Sequence, residues 1–346
     1  MHDTHDHDAH DDIDAALRDA FPSLANAAFL RRCHRWRAGP ARTLLTLGHP
    51  DYPALLRRLP DAPRVLFVHG DVARLWHPSV AVVGTRTPTV NGQDNARLFA
   101  GELTRRGWSI ASGMASGIDT VAHRAALETP GGCTVAVLGS GVDVAFPVAN
   151  RSLLRAIAER GAAVSEMPPG TPAAAWQFPR RNRIVAGLSL GTLVVEAAQR
   201  SGALITARLA GDASREVFAI PGSIHNPYAR GCHRLIRDGA QLVESVDDIE
   251  SALAPIAAAF ADDLRGRLHV PISNTAAVQH DSCDKDEDTQ RLWDALGHDP
   301  TPMEVLVVRT GLTAAKLASI LLSMELEGRV ECQHGRYTRR GTRKSS

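Results

Sequence analysis

The sequence has 346 residues, of which 44% are hydrophobic and only 5% aromatic, and its formal net charge is +1. This length suits about two or three domains, and the composition suits soluble α/β cores rather than a fibre. No window holds the roughly 18 uninterrupted apolar residues of a membrane-spanning helix, and the amino terminus lacks an export signal. We therefore predict a cytoplasmic protein that makes no membrane contact. The five cysteines are widely spaced and form no CxxC pair, so neither a disulfide framework nor a metal site is indicated.

The chain begins with a stretch rich in His and Asp. Residues 1–14 hold almost nothing apolar and are predicted to form a disordered tail. Apolar residues then recur at helical spacing from residue 13 to about residue 36, and a short helical pattern at 51–59 precedes a strand-like run at 65–68. Residues 15–75 are therefore predicted to form a small helical module.

Residues 76–250 alternate strand-like runs, glycine turns and helical patterns. Strands are predicted at 80–83, 109–112, 135–138, 163–165, 193–195, 217–220 and 240–243. This alternation implies right-handed crossovers and an α/β fold built on a Rossmann-like, doubly wound parallel sheet. The glycine turns follow strand carboxyl ends, so they should gather along one edge of the sheet beside helix amino termini, which is where such folds bind anions.

The last part of the chain changes character. Residues 251–287 are first alanine- and proline-rich and then polar and acidic, as in an interdomain linker. Residues 288–338 predict three helices and a hairpin, which is a winged-helix arrangement, and residues 339–346 form a basic tail. The third helix carries Lys316 but also Glu325 and Glu327, so contact with DNA and contact with protein both stay open.

Glycine turns supply the first half of a predicted phosphate site. In the segment VVGTR, backbone N–H groups and a threonine hydroxyl can meet a phosphate while the arginine closes over it. One such turn is as often structural as functional, but similar turns recur in SGMASGID and LGSGVD along the same predicted edge. The predicted contacts are Gly84, Thr85, Arg86, Thr87, Ser112, Gly113, Gly117, Gly139 and Gly141.

The segment FPRRNR supplies the second half of this site. Residues 80–245 contain no lysine, and their arginines outnumber the acidic residues, which favours forked contacts with phosphate or carboxylate, although genomic composition would produce the same bias. The predicted contacts are Arg180, Arg181, Asn182 and Arg183. The alternative is a surface salt-bridge cluster with Glu166 or Glu196.

Three carboxylates and two aromatic residues complete the set of candidates. Asp119, Asp143 and Glu196 each follow a strand-end glycine or apolar run, where a carboxylate caps a helix, orients an arginine or acts as a base. We expect structural roles, with Glu196 as a partner of the arginine cluster. Trp176 and Phe178 are the candidates for stacking on nucleobases. The motifs GxxxxGK[ST], GxSxG and HExxH are missing, and no nucleophile and base pair stands out.

Seven segments taken together resemble the DNA-processing protein A family, also called DprA or Smf. These segments are VVGTR, SGMASGIDTVAH, VLGSGVDVAFPVAN, SEMPPGTPAAAWQFPRRNRIVAGLS, VVEAAQRSGALITARLA, REVFAIPG and CHRLIRDGAQLV. The resemblance implies an extended Rossmann-like domain with a small N-terminal helical (SAM-like) module and a C-terminal winged helix. It also implies that Arg86 and the Arg181-Asn182-Arg183 core belong to a phosphate-binding pocket. The sequence departs from the family pattern at Thr85, where Ser is usual, at Phe146, where Tyr is frequent, and in having no lysine in this domain.

The function implied by the resemblance is that of a DNA-binding protein without catalytic activity or cofactor. Such a protein binds single-stranded DNA without sequence preference, dimerises, protects incoming DNA, and loads a RecA-type recombinase during natural transformation in the presence of single-strand binding protein. Two other functions fit this fold class less well. A phosphoribohydrolase-like enzyme acting on nucleoside monophosphates through Glu196 should carry PGGxGT, but the chain has SLGTLVVE instead. A plain NAD-binding protein should carry GxGxxG, and GSGVDV lacks its third glycine.

Overall fold

The structure is a computed structural model that describes residues 4–268, 284–296, 301–326, 329–333 and 336–339. Most of the predicted linker, from residue 269 to 283, and the basic tail after residue 339 lie outside the described residues. The chain forms two compact units, Met1–His269 and Val270–Ser346. No helix in the described ranges is both long and apolar enough to cross a membrane.

The first unit is built on one sheet of nine strands in the order β1-β2-β6-β5-β4-β3-β7-β8-β9. The strands from β6 to β9 in that order are parallel, whereas β1 and β2 run antiparallel at one edge. Most of the parallel strands are buried along their whole length, as expected for a sheet covered on both faces. The strands are β1 Arg42–Thr46, β2 Val65–Gly70, β3 Ser79–Val83, β4 Ser109–Ser112, β5 Thr134–Val137, β6 Ala162–Ser165, β7 Gly191–Val194, β8 Glu216–Ala219 and β9 Gln241–Leu242.

Helices cover both faces of this sheet, which confirms the predicted doubly wound α/β fold. They are α1 Thr4–Ala20, α2 Ala27–Arg37, α3 Ala54–Arg57, α4 Val90–Arg105, α5 Ile118–Glu128, α6 Arg151–Arg160, α7 Gln177–Leu188, α8 Gly202–Asp212, α9 Arg230–Arg237 and α10 Val246–Leu268. One core packs α7 and α8 against the sheet, a second packs α4, α5 and α10, and a third packs α1, α2 and α6. The strand order reverses between β3 and β7, so a crevice opens where their carboxyl ends diverge.

The N-terminal predictions need correction. The predicted tail at 1–14 is wrong from residue 4 onward, because α1 begins at Thr4 and its later turns bury Ile13 and Leu17 in the core. The helical pattern at 13–36 is divided between two helices, because Pro22 follows α1 and Asn26 caps α2 by accepting a hydrogen bond from the Phe29 N–H at 2.9 Å. The predicted boundary at residue 76 is also wrong, because β2 pairs with β6 and joins the main sheet.

The predicted linker starts too early. Helix α10 continues to Leu268 and includes Pro255, because its first turns are anchored in the core by Ile249 and Leu253. Glu250 of this helix also forms an ion pair with Arg106 at 2.6 Å. Residues 251–268 are therefore helical, and residues 284–287 already belong to the next helix along the chain.

The second unit has the three helices and the hairpin of the predicted winged helix. Its elements are α11 Asp284–Ala295, β10 Thr301–Pro302, α12 Met303–Thr310, α13 Ala314–Leu326, β11 Val330–Gln333 and β12 Arg336–Arg339, with the sheet order β10-β12-β11. Leucines from all three helices, including Leu292, Leu306 and Leu317, form its core. Lys316 on α13 forms an ion pair with the buried Asp288, and Glu327 lies outside the described residues.

Candidate nucleic-acid interface

The candidate site is a cavity of about 580 Å³ at the carboxyl ends of β3 and β7. Val83 and Val194, the last residues of these two strands, pair directly, so the loops that follow them diverge from one point. The position is the topological switch point at which open α/β sheets bind ligands. The predicted residues that line the cavity are Gly84, Thr85, Arg86, Gly113, Asp119, Phe178, Arg181 and Asn182.

The loop after β3 is held in a fixed shape and carries Arg86 on its outside. The Thr85 N–H donates to the Glu196 carbonyl oxygen at 2.7 Å, and the Thr85 hydroxyl oxygen accepts from the Thr87 N–H at 3.3 Å. Gly117 has a φ of +81°, and a Cβ there would lie 2.4 Å from the Thr85 carbonyl oxygen, so only glycine permits this close approach. Arg86 is exposed, and its guanidinium lies over the Phe178 ring at 5.7 Å from the centroid. The loop therefore presents a positioned cation at the mouth of the cavity.

Arg181 forms the floor of the cavity. Its guanidinium is buried and donates to the carbonyl oxygens of Gly113 and Val137, and its Nε donates to Asn182 at 3.1 Å. Burial lowers the pKa of Arg181 to about 10. This arginine adds positive charge beneath the cavity, but several of its donors are already used by the protein.

Asp119 lies beside Arg181 and shapes the same loop. Its carboxylate accepts hydrogen bonds from the N–H groups of Gly113 at 3.1 Å and Ala115 at 3.3 Å. Burial raises the pKa of Asp119, and the charge of Arg181 opposes that shift. In the described part of the chain, Asp119 is the one carboxylate that lines the cavity. Its two backbone bonds indicate a loop-ordering role.

Arg180 and Arg183 do not line the cavity. Glu166 accepts from Arg180 at 3.0 Å and from Arg183 at 2.5 Å, and Arg183 also pairs with Asp61 at 3.1 Å. All of FPRRNR lies inside α7, so residues three apart share one helix face while Arg181 points to another. The salt-bridge alternative therefore describes Arg180 and Arg183, and only the middle of the predicted cluster reaches the cavity.

Several other predicted contacts support the site from outside the cavity. Ser112 is buried and donates to the Val82 carbonyl oxygen at 2.7 Å. Gly139 packs against Phe178, because a Cβ there would lie 3.1 Å from the ring. The Gly141 N–H donates to the Thr171 carbonyl oxygen at 2.9 Å. These residues hold neighbouring loops together, and none of the three lines the cavity itself.

Two further predicted residues also lie outside the cavity lining. The Thr87 hydroxyl hydrogen-bonds with the Tyr228 hydroxyl at 3.1 Å. The Asp143 carboxylate accepts from the Gly170 N–H at 2.8 Å. Both bonds join a loop near the site to a segment distant in sequence. Trp176 is 60% exposed at the start of α7, close in sequence to Phe178.

Glu196 is not a partner of the arginines. Its buried carboxylate accepts from the Thr89 N–H at 2.9 Å, from the Thr89 hydroxyl at 2.6 Å and from the Asn226 amide at 3.0 Å. Glu196 thus ties the loop that carries Arg86 to the segment after β8. The prediction that Glu196 pairs with the arginine cluster is wrong, because its actual partners, Thr89 and Asn226, are remote from it in sequence.

Arg200 and Ser201 line the cavity and were not predicted. Ser201 caps α8 by accepting from the Ala203 N–H at 3.3 Å, and the amino terminus of α8 opens on the cavity beside the exposed Arg200. The signal that could have revealed them is Ser201 directly before a helical pattern, which is the N-cap rule. The cavity therefore combines exposed cations, a helix amino terminus and an aromatic wall, which is suited to a phosphate with an attached base. Within the described ranges, no cluster of three or more His, Cys, Asp or Glu side chains is arranged to hold a metal ion.

Comparisons with known proteins agree with this architecture. Residues 43–254 match the family of the DNA recombination-mediator protein A, and residues 261–336 match the DprA winged helix domain. Protein Smf of Escherichia coli (strain K12) is 39% identical over 305 residues, which cover 88% of this chain and 79% of the relative.

Two solved structures are also similar. The X-ray structure of DNA processing protein A from Streptococcus pneumoniae has a TM-score of 0.61 and 41% identity, over 65% of this chain and 77% of the other. DNA processing protein A from Helicobacter pylori, described for its single-stranded DNA binding mode, has a TM-score of 0.56 and 28% identity, over 62% of this chain and 96% of the other.

Proposed function

The chain belongs to the DNA recombination-mediator protein A family, and we propose that it binds single-stranded DNA without sequence preference at the cavity between β3 and β7. The observation that carries this proposal is the placement of two exposed arginines, Arg86 and Arg200, beside the amino terminus of α8. These groups recognise phosphate, which is the same for every base, so they hold a strand without reading its sequence.

Preference for a single strand follows from the size of the cavity. A volume of about 580 Å³ is that of a small-molecule site. A nucleotide of a flexible strand can enter such a crevice, whereas a base pair inside a duplex cannot. Phe178 on the cavity wall also offers apolar surface to a base that is not paired.

The biological role that fits this binding is DNA processing in natural transformation and recombination. In this proposal the protein acts in the cytoplasm as a homodimer without catalytic activity, protects incoming single strands, and loads a RecA-type recombinase onto DNA coated with single-strand binding protein. Family membership supports this role. The occupied carboxylate of Glu196, which already accepts three hydrogen bonds, argues against a hydrolytic alternative.

The binding proposal is tested by fluorescence anisotropy with labelled oligothymidine and with a duplex of equal length. Arg86→Ala and Arg200→Ala are each expected to weaken oligothymidine binding about ten-fold, because each removes a charge-assisted contact with phosphate. Arg97→Ala is the matched control, since Arg97 is an exposed arginine on α4 that pairs with Asp94. Unchanged affinity of both Arg86→Ala and Arg200→Ala, or a native preference for duplex, would contradict the proposal.

The recombinase proposal needs a separate measurement. A RecA-type ATPase is monitored on oligothymidine that is first coated with single-strand binding protein. The native chain is expected to shorten the lag before ATP hydrolysis, and Arg86→Ala to lose that effect in parallel with its loss of DNA affinity. A native chain that binds DNA but leaves the lag unchanged would refute the loading role and leave the binding role intact.

A further inference from the structure

Two loops beside the cavity expose large apolar side chains. Phe146 is 45% exposed and Val148 is 65% exposed in the segment after β5, and Trp176 is 60% exposed just before α7. Scattered apolar residues on a surface need no explanation, but adjacent ones at the rim of a ligand site do. These three belong to segments that are packed against one another.

The two segments are tied together by hydrogen bonds and by ring contact. The Gly141 N–H donates to the Thr171 carbonyl oxygen at 2.9 Å, and the Gly170 N–H donates to Asp143 at 2.8 Å. The rings of Phe146 and Phe178 lie 5.3 Å apart with an interplanar angle of 35°. Because Phe178 lines the cavity, the exposed surface of Phe146 continues the cavity wall outward.

The ring of Phe178 already contacts several neighbouring residues. It is half-buried, the Arg86 guanidinium lies over its ring at 5.7 Å, and the Gly139 backbone packs close against its edge. Together with the contact to Phe146, these neighbours cover part of its ring, so Phe178 alone offers a limited surface to a ligand. Among the aromatic residues of these two segments, Phe146 and Trp176 therefore present the larger exposed surface.

We propose that Phe146, together with Trp176, forms a platform on which nucleobases of a single strand stack next to the phosphate cavity. This inference rests on the proposed function, and it names the part of the ligand that the cavity does not hold. A strand whose phosphate sits against Arg86 must place its neighbouring bases close by, and unpaired bases offer apolar faces that a duplex conceals. Continuity with the cationic cavity favours nucleobases over a protein partner as the occupant.

Stacking on the platform would favour single strands through an interaction that salt does not screen. Binding to phosphates releases counterions from the DNA, and the entropy gained by this release becomes smaller as the salt concentration rises. Phosphate contacts therefore weaken at high salt, whereas stacking depends on apolar contact. Stacking also tolerates any base, since every base has a flat face. Removal of Phe146 should therefore lower affinity without changing its dependence on salt.

The experiment compares two probes of equal length and equal charge, oligothymidine and an oligomer of abasic nucleotides. Phe146→Ala is expected to weaken oligothymidine binding about 5- to 150-fold and to leave the abasic oligomer within about two-fold. Phe146→Tyr, which keeps the ring, should bind both probes like the native chain. Leu98→Ala is the control, because Leu98 is an apolar residue of α4 that is 58% exposed.

The remaining outcomes separate the platform from other roles of Phe146. Equal losses on both probes, or no loss on either while Arg86→Ala still weakens binding, would overturn the platform and keep the proposed function. A loss of oligomer mass in sedimentation, with no change in the affinity for either probe, would show that Phe146 contacts another protein chain instead. If neither Arg86→Ala nor Arg200→Ala had an effect, the proposed function itself would fail.

Discussion

Substitution of Glu196 distinguishes most clearly between a DNA-binding protein and a hydrolase on this fold. Its carboxylate is buried and accepts two bonds from Thr89 and one from Asn226. Glu196→Ala leaves these donors without an acceptor, and each stranded group costs about 1–3 kcal/mol. We expect a loss of about 3–5 kcal/mol in the free energy of unfolding, or roughly a 10 °C fall in Tm for a unit of this size.

A second variant perturbs the same carboxylate without removing it. A Cβ at Gly92 would lie 2.2 Å from the Glu196 Oε2, so Gly92→Ala must push the carboxylate away from its donors. It should lower Tm in the same direction as Glu196→Ala, although it changes no charge. Gly101→Ala, on the same helix and with only the end of the Arg105 side chain at 3.9 Å, is the matched control.

Thermal unfolding followed by circular dichroism measures these changes, and chromatography of nucleoside monophosphates incubated with each protein detects any released base. We expect no released base from the native chain or from any variant. Release by the native chain that Glu196→Ala abolishes, with Tm unchanged, would refute the structural role of Glu196 and revive the phosphoribohydrolase alternative.

Three further predictions follow from buried or strained positions. Gly117→Ala is expected to weaken oligothymidine binding in anisotropy assays far more than Gly107→Ala. Both glycines have a positive φ, but only a Cβ at residue 117 would clash with the backbone of the loop that carries Arg86. Glu166→Ala removes the buried ion-pair partner of Arg183 and leaves only the exposed Asp61. Urea unfolding should show a decrease of about 3–5 kcal/mol in the free energy of unfolding, and a decrease below about 1 kcal/mol would contradict this. Burial lowers the pKa of His123 to about 3, from an ordinary value of 6.5. Between these two pH values His123 is protonated in the unfolded chain but neutral in the folded chain, so the free energy of unfolding decreases as the pH is lowered from 6.5 to about 3. Between pH 6.5 and 5 this loss is about 2 kcal/mol, and His123→Gln should remove that part of the slope in urea unfolding; an unchanged slope would disprove it.

The sheet and its functional edge could be predicted because their signals are local. Buried parallel strands appear as short apolar runs, and β3, β4 and β5 are each followed by a glycine turn that marks the carboxyl end. That rule identifies Arg86, since it stands in the glycine turn that follows β3. The antiparallel pairing of β2 with β6 has no local signal, so the N-terminal segment was assigned to a separate module.

The arginine cluster shows why positions within a site are harder to predict than the site itself. Helix α7 begins at Gln177 with Trp176 at its N-cap position and no side-chain cap hydrogen bond, so the sequence carries no start signal. Without a defined helix start, the faces on which Arg180 and Arg181 lie could not be assigned. The partners of Glu196 were missed for a related reason, because Thr89 is 107 residues away along the chain.

The most direct test of phosphate binding at the cavity is the salt dependence of oligothymidine affinity. For single strands, the logarithm of the binding constant falls with the logarithm of the salt concentration by about 0.7 for each phosphate neutralised. We expect Arg86→Ala to make the slope shallower by about 0.7 and Arg97→Ala to leave it unchanged. Identical slopes for the native chain, Arg86→Ala and Arg200→Ala would show that neither arginine contacts a phosphate, and the assignment of the cavity as the DNA site would be wrong.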